Sequence, residues 1–320
     1  MSRRLDEHVP YPQGWKAADA GSQSQWIYSL PAELIQAYAA GVGEELDATG
    51  KLLNSWRKWF GPVLDTLNDG RGFVLLDRLP VEKLTVEETR RAYWRIGQSL
   101  GQPIEQNIEG TLLYEVRDTG RDVGEGVRFS VTNAESSFHT DAAFADQPPE
   151  FVGLLSLHTA VTGGLSQLVS AYSLHNALAE EAADDLAVLY EPFSFDRRGQ
   201  FRAGEPEVMV APMFKWDGNE LDTRYLHYYI TEGHKSGQSL TADQSAALDK
   251  VIEIVSRPDM RVEFSLEPGQ MMFTNNHWML HNRTEFEDHP DPEKRRRYIR
   301  LWLERGGNCP PSLGRRWAGR

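Results

Sequence analysis

Cysteine is almost absent from this sequence, in which Cys309 is the single example among 320 residues. An intramolecular disulfide is therefore impossible, and this excludes the small secreted proteins that depend on such bridges. Residues 1–15 contain basic side chains but no apolar run behind them, so no secretory signal peptide is recognisable. Together these features lead us to expect a protein of the reducing cytoplasm.

Long apolar runs and positive charge are also in short supply. No segment approaches the roughly 18 uninterrupted apolar residues that a membrane-spanning helix needs. The 34 Lys and Arg residues are outnumbered by 47 Asp and Glu residues, which gives a formal net charge of -13. Because nucleic acids and anionic membranes repel such a protein, we expect neither of them as a partner.

The chain does contain enough apolar material for a sizeable core. Hydrophobic residues make up 40% of it, and its 9 Trp and 13 Phe residues indicate a well-packed interior. We expect three parts: an N-terminal arm and helix over residues 1–45, a main domain over residues 46–307, and a C-terminal tail over residues 308–320.

Helical signals are concentrated in the first third of the sequence. Apolar residues spaced three and four apart predict a helix within residues 31–68, which Gly61-Pro62 is expected to kink or divide. Thr85 and Glu88 form a capping box, which predicts the start of a further helix.

Short strands dominate the rest of the sequence, together with two inserted helices. The helices are predicted to follow Ser173 and Thr241 as their capping residues. Strands are predicted at residues 72–79, 112–116, 151–157, 167–171, 193–197, 208–215, 261–266, 270–274 and 297–304. Since strands and helices do not alternate regularly, the sequence predicts an α+β fold, a distorted β-sandwich or jelly roll with flanking and inserted helices.

One short motif carries candidate metal ligands. His139 and Asp141 are separated by a single residue, and His281 follows 140 residues after Asp141. Two imidazoles and one carboxylate form the ligand set of a facial Fe(II) site with open coordination positions. On an extended strand, residues 139 and 141 project to the same face and can reach one ion. The same ligands also suit zinc or manganese in a hydrolytic or structural site.

The sequence around this motif resembles the taurine dioxygenase (TauD/TfdA, clavaminate synthase-like) family of Fe(II)/2-oxoglutarate oxygenases. In that family the H-T-D motif is followed by an aromatic residue, a Pro-Pro pair, a buried strand and a Gly-Gly pair. The matching elements here are Phe144, Pro148-Pro149, residues 151–157 and Gly163-Gly164. A second block, residues 275–304, resembles the family's H-x-R-T-x-F segment and the R-x-x-x-R strand after it. The resemblance covers roughly residues 70–306.

The resemblance implies a double-stranded β-helix (jelly-roll) core and an iron site formed by His139, Asp141 and His281. His281 is chosen over His277 because the residues that follow it match the family pattern. The implied cofactors are Fe(II), 2-oxoglutarate and O2, and the implied reaction releases succinate and CO2 while a C-H bond is hydroxylated. The intact Asp141 argues against halogenation, whereas desaturation, ring closure and a non-catalytic binding role stay open.

A strand near the C-terminus carries candidate anion-binding residues. Arg296, Tyr298, Arg300 and Trp302 alternate with residues of the opposite face, and roughly 13 Å separates the two arginines along the strand. By resemblance, Arg296 binds the distal carboxylate of 2-oxoglutarate and Arg300 meets an anionic group of the substrate. Ser166 stands where the family has a threonine whose hydroxyl also meets that carboxylate.

These residues lead us to expect a small anionic substrate, such as a carboxylate or sulfonate. Homo-oligomerisation is compatible with the sequence. The residues expected to form an apolar wall for the substrate are Phe144, Trp278, Tyr298 and Trp302. Asn133, Glu135 and Ser137 are expected either to line the pocket or to shape the loop before His139. The histidines for which we expect structural roles are His158, His175, His227, His234 and His277.

Overall fold

The computed structural model describes residues 4–40, 54–120, 131–235 and 238–305. The expected boundary at residue 45 and the tail with Cys309 lie outside these ranges. Within the described part of the chain, no helix has the length and apolar character needed to cross a membrane.

The secondary structure mixes strands and helices along the whole chain. The helices are α1 (Ala32–Ala40), α2 (Asn54–Asn68), α3 (Val86–Leu100), α4 (Ala171–Glu181), α5 (Ala183–Leu189), α6 (His227–Lys235) and α7 (Ala242–Val255). The strands are β1 (Ile27–Ser29), β2 (Phe73–Asp77), β3 (Gln102–Ile104), β4 (Leu113–Val116), β5 (Phe151–His158), β6 (Thr162–Gly163), β7 (Ser166–Ser170), β8 (Pro192–Asp196), β9 (Val208–Pro212), β10 (Phe214–Trp216), β11 (Leu221–Thr223), β12 (Arg261–Phe264), β13 (Met271–Asn275), β14 (Met279–Arg283), β15 (Phe286–Glu287) and β16 (Arg297–Glu304).

Two sheets form the jelly-roll core and enclose a cavity between them. The larger sheet has the order β1-β2-β13-β5-β16-β3, with β4 also paired to β16. The smaller sheet has the order β12-β7-β14 and is antiparallel throughout. Side chains from β5 and β16 of the larger sheet and from β14 of the smaller one line the same cavity. The predicted α+β fold with a jelly-roll core is therefore confirmed.

Strand β16 shows how the alternation of the sequence positions the site. Ile299, Leu301 and Leu303 pack into a core shared with α1, α2 and α3 on the outer face of the sheet. Tyr298, Arg300 and Trp302 point the other way and line the cavity. The two-residue period of the strand therefore separates the apolar core from the polar site.

Two details of the predicted helices are refined by the structure. Of the two expected effects of Gly61-Pro62, division of the helix does not occur, because helix α2 is continuous across this pair. The proline removes one main-chain hydrogen bond, but burial of Phe60 and Val63 holds the helix in place. The helix expected after Ser173 begins three residues earlier. Ser170 is its cap, because the Ser170 hydroxyl accepts the Ser173 N–H at 3.4 Å.

The N-terminal arm is part of the core. Strand β1 pairs in parallel with β2 at the edge of the larger sheet. Trp15 is fully buried, its indole N–H donates to the carbonyl of Arg71 at 2.9 Å, and its own carbonyl accepts the Ser173 hydroxyl at 2.5 Å. The arm therefore joins the larger sheet to helix α4.

We predict that Trp15→Ala lowers the free energy of unfolding by about 3–5 kcal/mol, the usual cost of truncating a buried tryptophan. Urea denaturation of the full chain measures this loss. The matched control is Glu7→Ala on the exposed side of the same arm, which should change stability by less than about 0.5 kcal/mol. A loss for Trp15→Ala as small as that of the control would show that the arm is not needed for folding.

Candidate active site

Main-chain hydrogen bonds bring the two histidines together. The His139 N–H donates to the His281 carbonyl at 3.0 Å, and the His281 N–H donates to the His139 carbonyl at 2.9 Å. This bridge joins the loop before residue 140 to strand β14, and the imidazole ring centroids lie 4.2 Å apart. Backbone pairing thus makes neighbours of two residues that are far apart in the sequence.

Asp141 reaches the same place by a turn rather than along a strand. Only His139 has strand-like pairing, and the chain turns at Asp141. The amide of Asn276 holds this turn on both sides: its Oδ1 accepts the Asp141 N–H at 2.8 Å, and its Nδ2 donates to the Asp141 carbonyl at 3.0 Å. The expectation of an extended strand through residue 141 is therefore wrong, but both side chains still face one cavity.

The three side chains are arranged to hold one metal ion. Their candidate ligand atoms all lie within 4.8 Å of one another. Asp141 Oδ1 is 3.6 Å from His139 Nε2 and 3.8 Å from His281 Nε2. His139 Nδ1 lies 2.8 Å from the Ser137 carbonyl, which can only accept, so Nδ1 carries the proton and the Nε2 lone pair faces the cavity.

The electrostatics of the site favour the ligand forms of these residues. Burial, together with the neighbouring His139, lowers the pKa of His281 to about 3, so its imidazole is neutral at physiological pH. Burial opposes the ionisation of Asp141, but the charge of the Arg300 guanidinium outweighs it and holds the pKa of Asp141 well below its usual range. Neutral imidazoles and an ionised carboxylate are what a divalent metal requires.

Arg296 is a buried cation that lines the cavity, and two of its side-chain nitrogens have no hydrogen-bond partner in the part of the chain that the structure describes. Its side chain is 3% exposed, and within the described residues Nε and Nη1 make no hydrogen bond. The guanidinium lies 3.8 Å from the ring centroid of Tyr298, and burial lowers the pKa of Arg296. Leaving such a charge unpaired is costly, so the position suits an anionic ligand.

The Gly-Gly pair of the sequence lies beside this arginine. A Cβ on Gly164 would come within 3.2 Å of Arg296 Nε, and the residue has a φ of +66°. Glycine is therefore suited to this position both by space and by backbone conformation. The nearby Ser166 is buried on β7 opposite Arg283, but it is not among the residues that line the cavity.

Arg300 lies on the other side of the cavity and contacts the metal-binding carboxylate. Its Nη1 is 3.2 Å from Asp141 Oδ1 and 3.1 Å from Oδ2, and its Nε donates to Gln106 Oε1 at 2.8 Å. Its Nη2 makes no hydrogen bond within the part of the chain described here. Of the two arginines of the R-x-x-x-R pattern, Arg296 thus has two nitrogens without a partner among the described residues, and Arg300 is bound to Asp141.

The expected apolar wall is only partly correct. Phe144, Tyr298 and Trp302 line the cavity, whereas Trp278 is fully buried against Tyr172, away from it. Trp278 directly precedes β14, and its ring packs against Gly72 instead of facing the cavity.

The loop before His139 is held by its own contacts. Glu135 accepts a hydrogen bond from Asn282 at 2.7 Å, and Ser137 donates to a neighbouring carbonyl. Neither of them, nor Asn133, lines the cavity, but Ser136 does. Of the two roles expected for Asn133, Glu135 and Ser137, shaping the loop is therefore confirmed and lining the pocket is not.

Arg283 and Tyr229 are among the cavity residues that were not identified from the sequence. Arg283 follows His281 by two residues on β14, so strand alternation was a usable signal for it. Its guanidinium donates to the carbonyls of Thr132 and Ala134, and burial beside Arg296 lowers its pKa to about 9. Tyr229 lies on helix α6, which has no clear apolar period and was not predicted.

Three of the histidines outside the cluster have structural contacts. His277 Nδ1 lies 3.0 Å from Asp222 Oδ1, so it is not a ligand of the site. His234 Nε2 accepts the main-chain N–H of Ser194 at 3.0 Å. His175 is 1% exposed, with Nε2 3.0 Å from the Tyr190 hydroxyl.

His175 gives a pH prediction. Burial lowers its pKa from 6.5 to about 4, so the unfolded chain binds this proton at a higher pH than the folded chain does. Its contribution to stability is complete above pH 6.5 and is lost as the pH falls towards 4, by up to about 3 kcal/mol. Urea unfolding at pH 7.5 and pH 4.5 measures the loss. His175→Gln should reduce this pH dependence, and an unchanged dependence would contradict the assignment.

The fold and the cluster are those of an enzyme that can hold one metal ion, with the buried Arg296 lining the same cavity. Residues 35–302 match the family model described as "Taurine catabolism dioxygenase TauD, TfdA family". The chain belongs to this family. It is also 31% identical to FR-33289 synthase of Streptomyces rubellomurinus (strain ATCC 31215) over 95% of this chain and 93% of that protein. A shorter match, 27% identical, covers 51% of this chain and 59% of a uridine-5'-phosphate dioxygenase of Amycolatopsis sp.

Solved structures share the fold. An asparagine oxygenase in complex with Fe(II), 3-hydroxyasparagine and succinate superposes with a TM-score of 0.67 at 18% identity, over 87% of this chain and 93% of that one. The iron oxygenase OrfP in complex with Fe and alpha-ketoglutaric acid gives a TM-score of 0.63 at 16% identity, over 87% and 94%. By its family the protein is a 2-oxoglutarate-dependent dioxygenase. The cluster of His139, Asp141 and His281 fits iron, and the buried Arg296 fits 2-oxoglutarate.

Proposed function

We propose that this enzyme hydroxylates an unactivated C-H bond of a small anionic substrate, with release of succinate and CO2. The observation that carries the proposal is the unpaired, buried Arg296 in the same cavity as the cluster of His139, Asp141 and His281. Such an arrangement supports joint binding of a metal and a dicarboxylate. Iron with 2-oxoglutarate supplies the oxidising chemistry, while the protein positions the reactants and excludes water.

Each side chain of the site has a proposed role. His139, Asp141 and His281 hold Fe(II) through Nε2, Oδ1 and Nε2. Arg296 receives the distal carboxylate of 2-oxoglutarate in a bidentate fork, which is the geometry that guanidinium favours. Ser166, at the start of the central strand β7 of the smaller sheet, is proposed to offer its hydroxyl to the same carboxylate.

The charge of the cavity supports an anionic substrate. Arg283, Arg296 and Arg300 contribute three positive charges, and Asp141 contributes one negative charge. The cavity is therefore cationic although the chain as a whole is acidic, and local charge decides which ligand enters. We propose that Arg300 meets the anionic group of the substrate through Nη2 while its Nη1 stays on Asp141.

The apolar part of the cavity narrows the substrate further. Phe144 and Tyr229 contact each other with ring centroids 5.7 Å apart, and Leu154 and Leu226 line the same space. We propose a substrate with a short hydrocarbon part next to its charged group, since Phe144, Leu154 and Leu226 offer no hydrogen-bonding group. Hydroxylation is the default outcome, and desaturation or ring closure is the alternative on the same site.

The test is a substrate screen with Fe(II), ascorbate and 2-oxoglutarate, scored by oxygen uptake and succinate. The panel contains small carboxylates, sulfonates and phosphate esters, each with a neutral ester or amide analogue. We expect succinate formation with an anionic compound and much less with its neutral analogue. Equal rates for both members of a pair would contradict the role of Arg300. Tight zinc retention without turnover of any compound would contradict the oxygenase.

We further propose that the enzyme acts in the cytoplasm, where reducing conditions keep iron ferrous. A small molecule is its proposed partner, and homo-oligomerisation is a separate proposal that light scattering of the purified protein tests.

A further inference from the structure

The metal-binding carboxylate has two oxygens in different surroundings. Asp141 Oδ1 faces both histidine Nε2 atoms, at 3.6 and 3.8 Å. Asp141 Oδ2 accepts the indole N–H of Trp302 at 2.7 Å. Both side chains are buried, with Asp141 4% and Trp302 7% exposed, so water does not compete for this contact.

A second contact comes from Arg300, whose Nη1 lies 3.2 Å from Oδ1 and 3.1 Å from Oδ2 of Asp141. This guanidinium is itself fixed. Gln106 accepts from Arg300 Nε at 2.8 Å and donates through Nε2 to the carbonyl of Arg300 at 2.9 Å. Gln106 is 2% exposed, and the Arg300 guanidinium lies 4.7 Å from the ring centroid of Trp302. The three side chains support one another.

We propose that Gln106, Arg300 and Trp302 form a carboxylate clamp that makes Asp141 a one-oxygen ligand. Because the indole N–H occupies Oδ2, an ion held between the histidines would be met by Oδ1 alone. An ion that reached both oxygens would use one more of its coordination positions. The clamp therefore preserves a position for 2-oxoglutarate or dioxygen, and it lowers the freedom of Asp141 to rotate away. This inference rests on the metal ligands of the proposed function.

Trp302 is thus a positioning residue and not only part of the substrate wall. The variant Trp302→Phe keeps most of the ring volume and removes the N–H donor. The matched control is Trp26→Phe, because Trp26 is also buried and donates its indole N–H to a carbonyl, that of Ala20, at 2.6 Å. Both variants lose one hydrogen bond of similar quality, but only one of these bonds ends on the metal-binding carboxylate.

The experiment titrates Co(II) into the metal-free full-length enzyme and records its visible ligand-field absorption, which reports coordination number. We expect Trp302→Phe to weaken Co(II) binding by about 10–100-fold, the usual effect of losing such an outer contact, and to change the band shape. Trp26→Phe should bind Co(II) with wild-type affinity and spectrum. The proposed clamp is wrong if Trp302→Phe also binds Co(II) with wild-type affinity and spectrum.

A second variant keeps the proposal testable if Trp302→Phe does not fold. Gln106→Met removes the partner of the Arg300 Nε atom without adding charge, and we expect it to weaken Co(II) binding severalfold and to shift the same absorption bands. Wild-type affinity and spectrum for Gln106→Met would count against the clamp. Failure of the wild-type enzyme to bind Co(II) would overturn the proposed metal site and the clamp with it. Wild-type Co(II) binding by both variants would overturn the clamp alone.

Discussion

Replacing Arg296 with leucine is expected to raise the dissociation constant of 2-oxoglutarate by 100-fold or more. Two charge-assisted hydrogen bonds to the distal carboxylate would be lost, and each contributes about 1.5–3 kcal/mol. A loss of about 3 kcal/mol corresponds to roughly a 100-fold change in affinity. Calorimetric titration of 2-oxoglutarate into the enzyme loaded with Mn(II) measures this directly.

The same substitution should stabilise the ligand-free protein. Arg296 Nε and Nη1 are buried without partners, and the shorter, apolar leucine side chain removes that cost. The contact with Tyr298 is lost in return, so we expect a net gain of about 1–2 kcal/mol in the free energy of unfolding. A gain in stability together with a loss of ligand affinity is the signature of a residue that serves binding rather than folding.

Two further variants make this result specific. Arg296→Lys keeps the charge but loses the planar fork, so 2-oxoglutarate affinity should fall by about 10-fold only. Arg297→Leu removes the neighbouring arginine, which faces away from the cavity and pairs with Glu115 at 2.6 Å. It should leave 2-oxoglutarate affinity unchanged. Equal losses for Arg296→Leu and Arg297→Leu would contradict the assignment of Arg296.

Replacing Asp141 with alanine is expected to abolish iron binding and turnover while leaving the fold in place. The two histidines remain neighbours because main-chain hydrogen bonds hold them, but they offer only two ligands. Metal content after reconstitution and far-ultraviolet circular dichroism report the two parts of the expectation. Full activity in Asp141→Ala would show that the metal assignment is wrong.

This variant also leaves Arg300 without its carboxylate. Breaking a buried ion pair on one side costs about 3–5 kcal/mol, so Asp141→Ala should lose stability as well as metal. The double variant Asp141→Ala/Arg300→Met removes the uncompensated charge and should recover most of the stability. It should not recover iron, and this contrast separates the electrostatic role of Asp141 from its role as a ligand. Recovery of metal binding in the double variant would contradict ligation by Asp141.

Much of the site was predictable because motif and periodicity act locally. The H-T-D motif identified His139 and Asp141 as residues of one cavity. The two-residue alternation of β16 placed Tyr298, Arg300 and Trp302 on the cavity face. Helix caps such as Thr85 with Glu88 were equally local, and the structure confirms that capping box.

The parts that were missed depend on contacts between distant segments. Arg300 was expected at the substrate, and nothing in the sequence indicated that Gln106 and Asp141 hold it. The exclusion of Trp278 from the cavity follows from how Gly72 and Tyr172 pack around its ring. Helix α6 was missed because its buried residues depend on packing against β8 rather than on an apolar period. Tertiary packing decides such features.

The reciprocal main-chain hydrogen bonds between His139 and His281 have a consequence for metal exchange. They close a loop of more than a hundred residues during folding, so the entropy of bringing the ligands together is lost before any ion arrives. Folding of the polypeptide and loading of iron become separate events. We therefore expect the metal-free protein to keep its two sheets folded when iron leaves and returns.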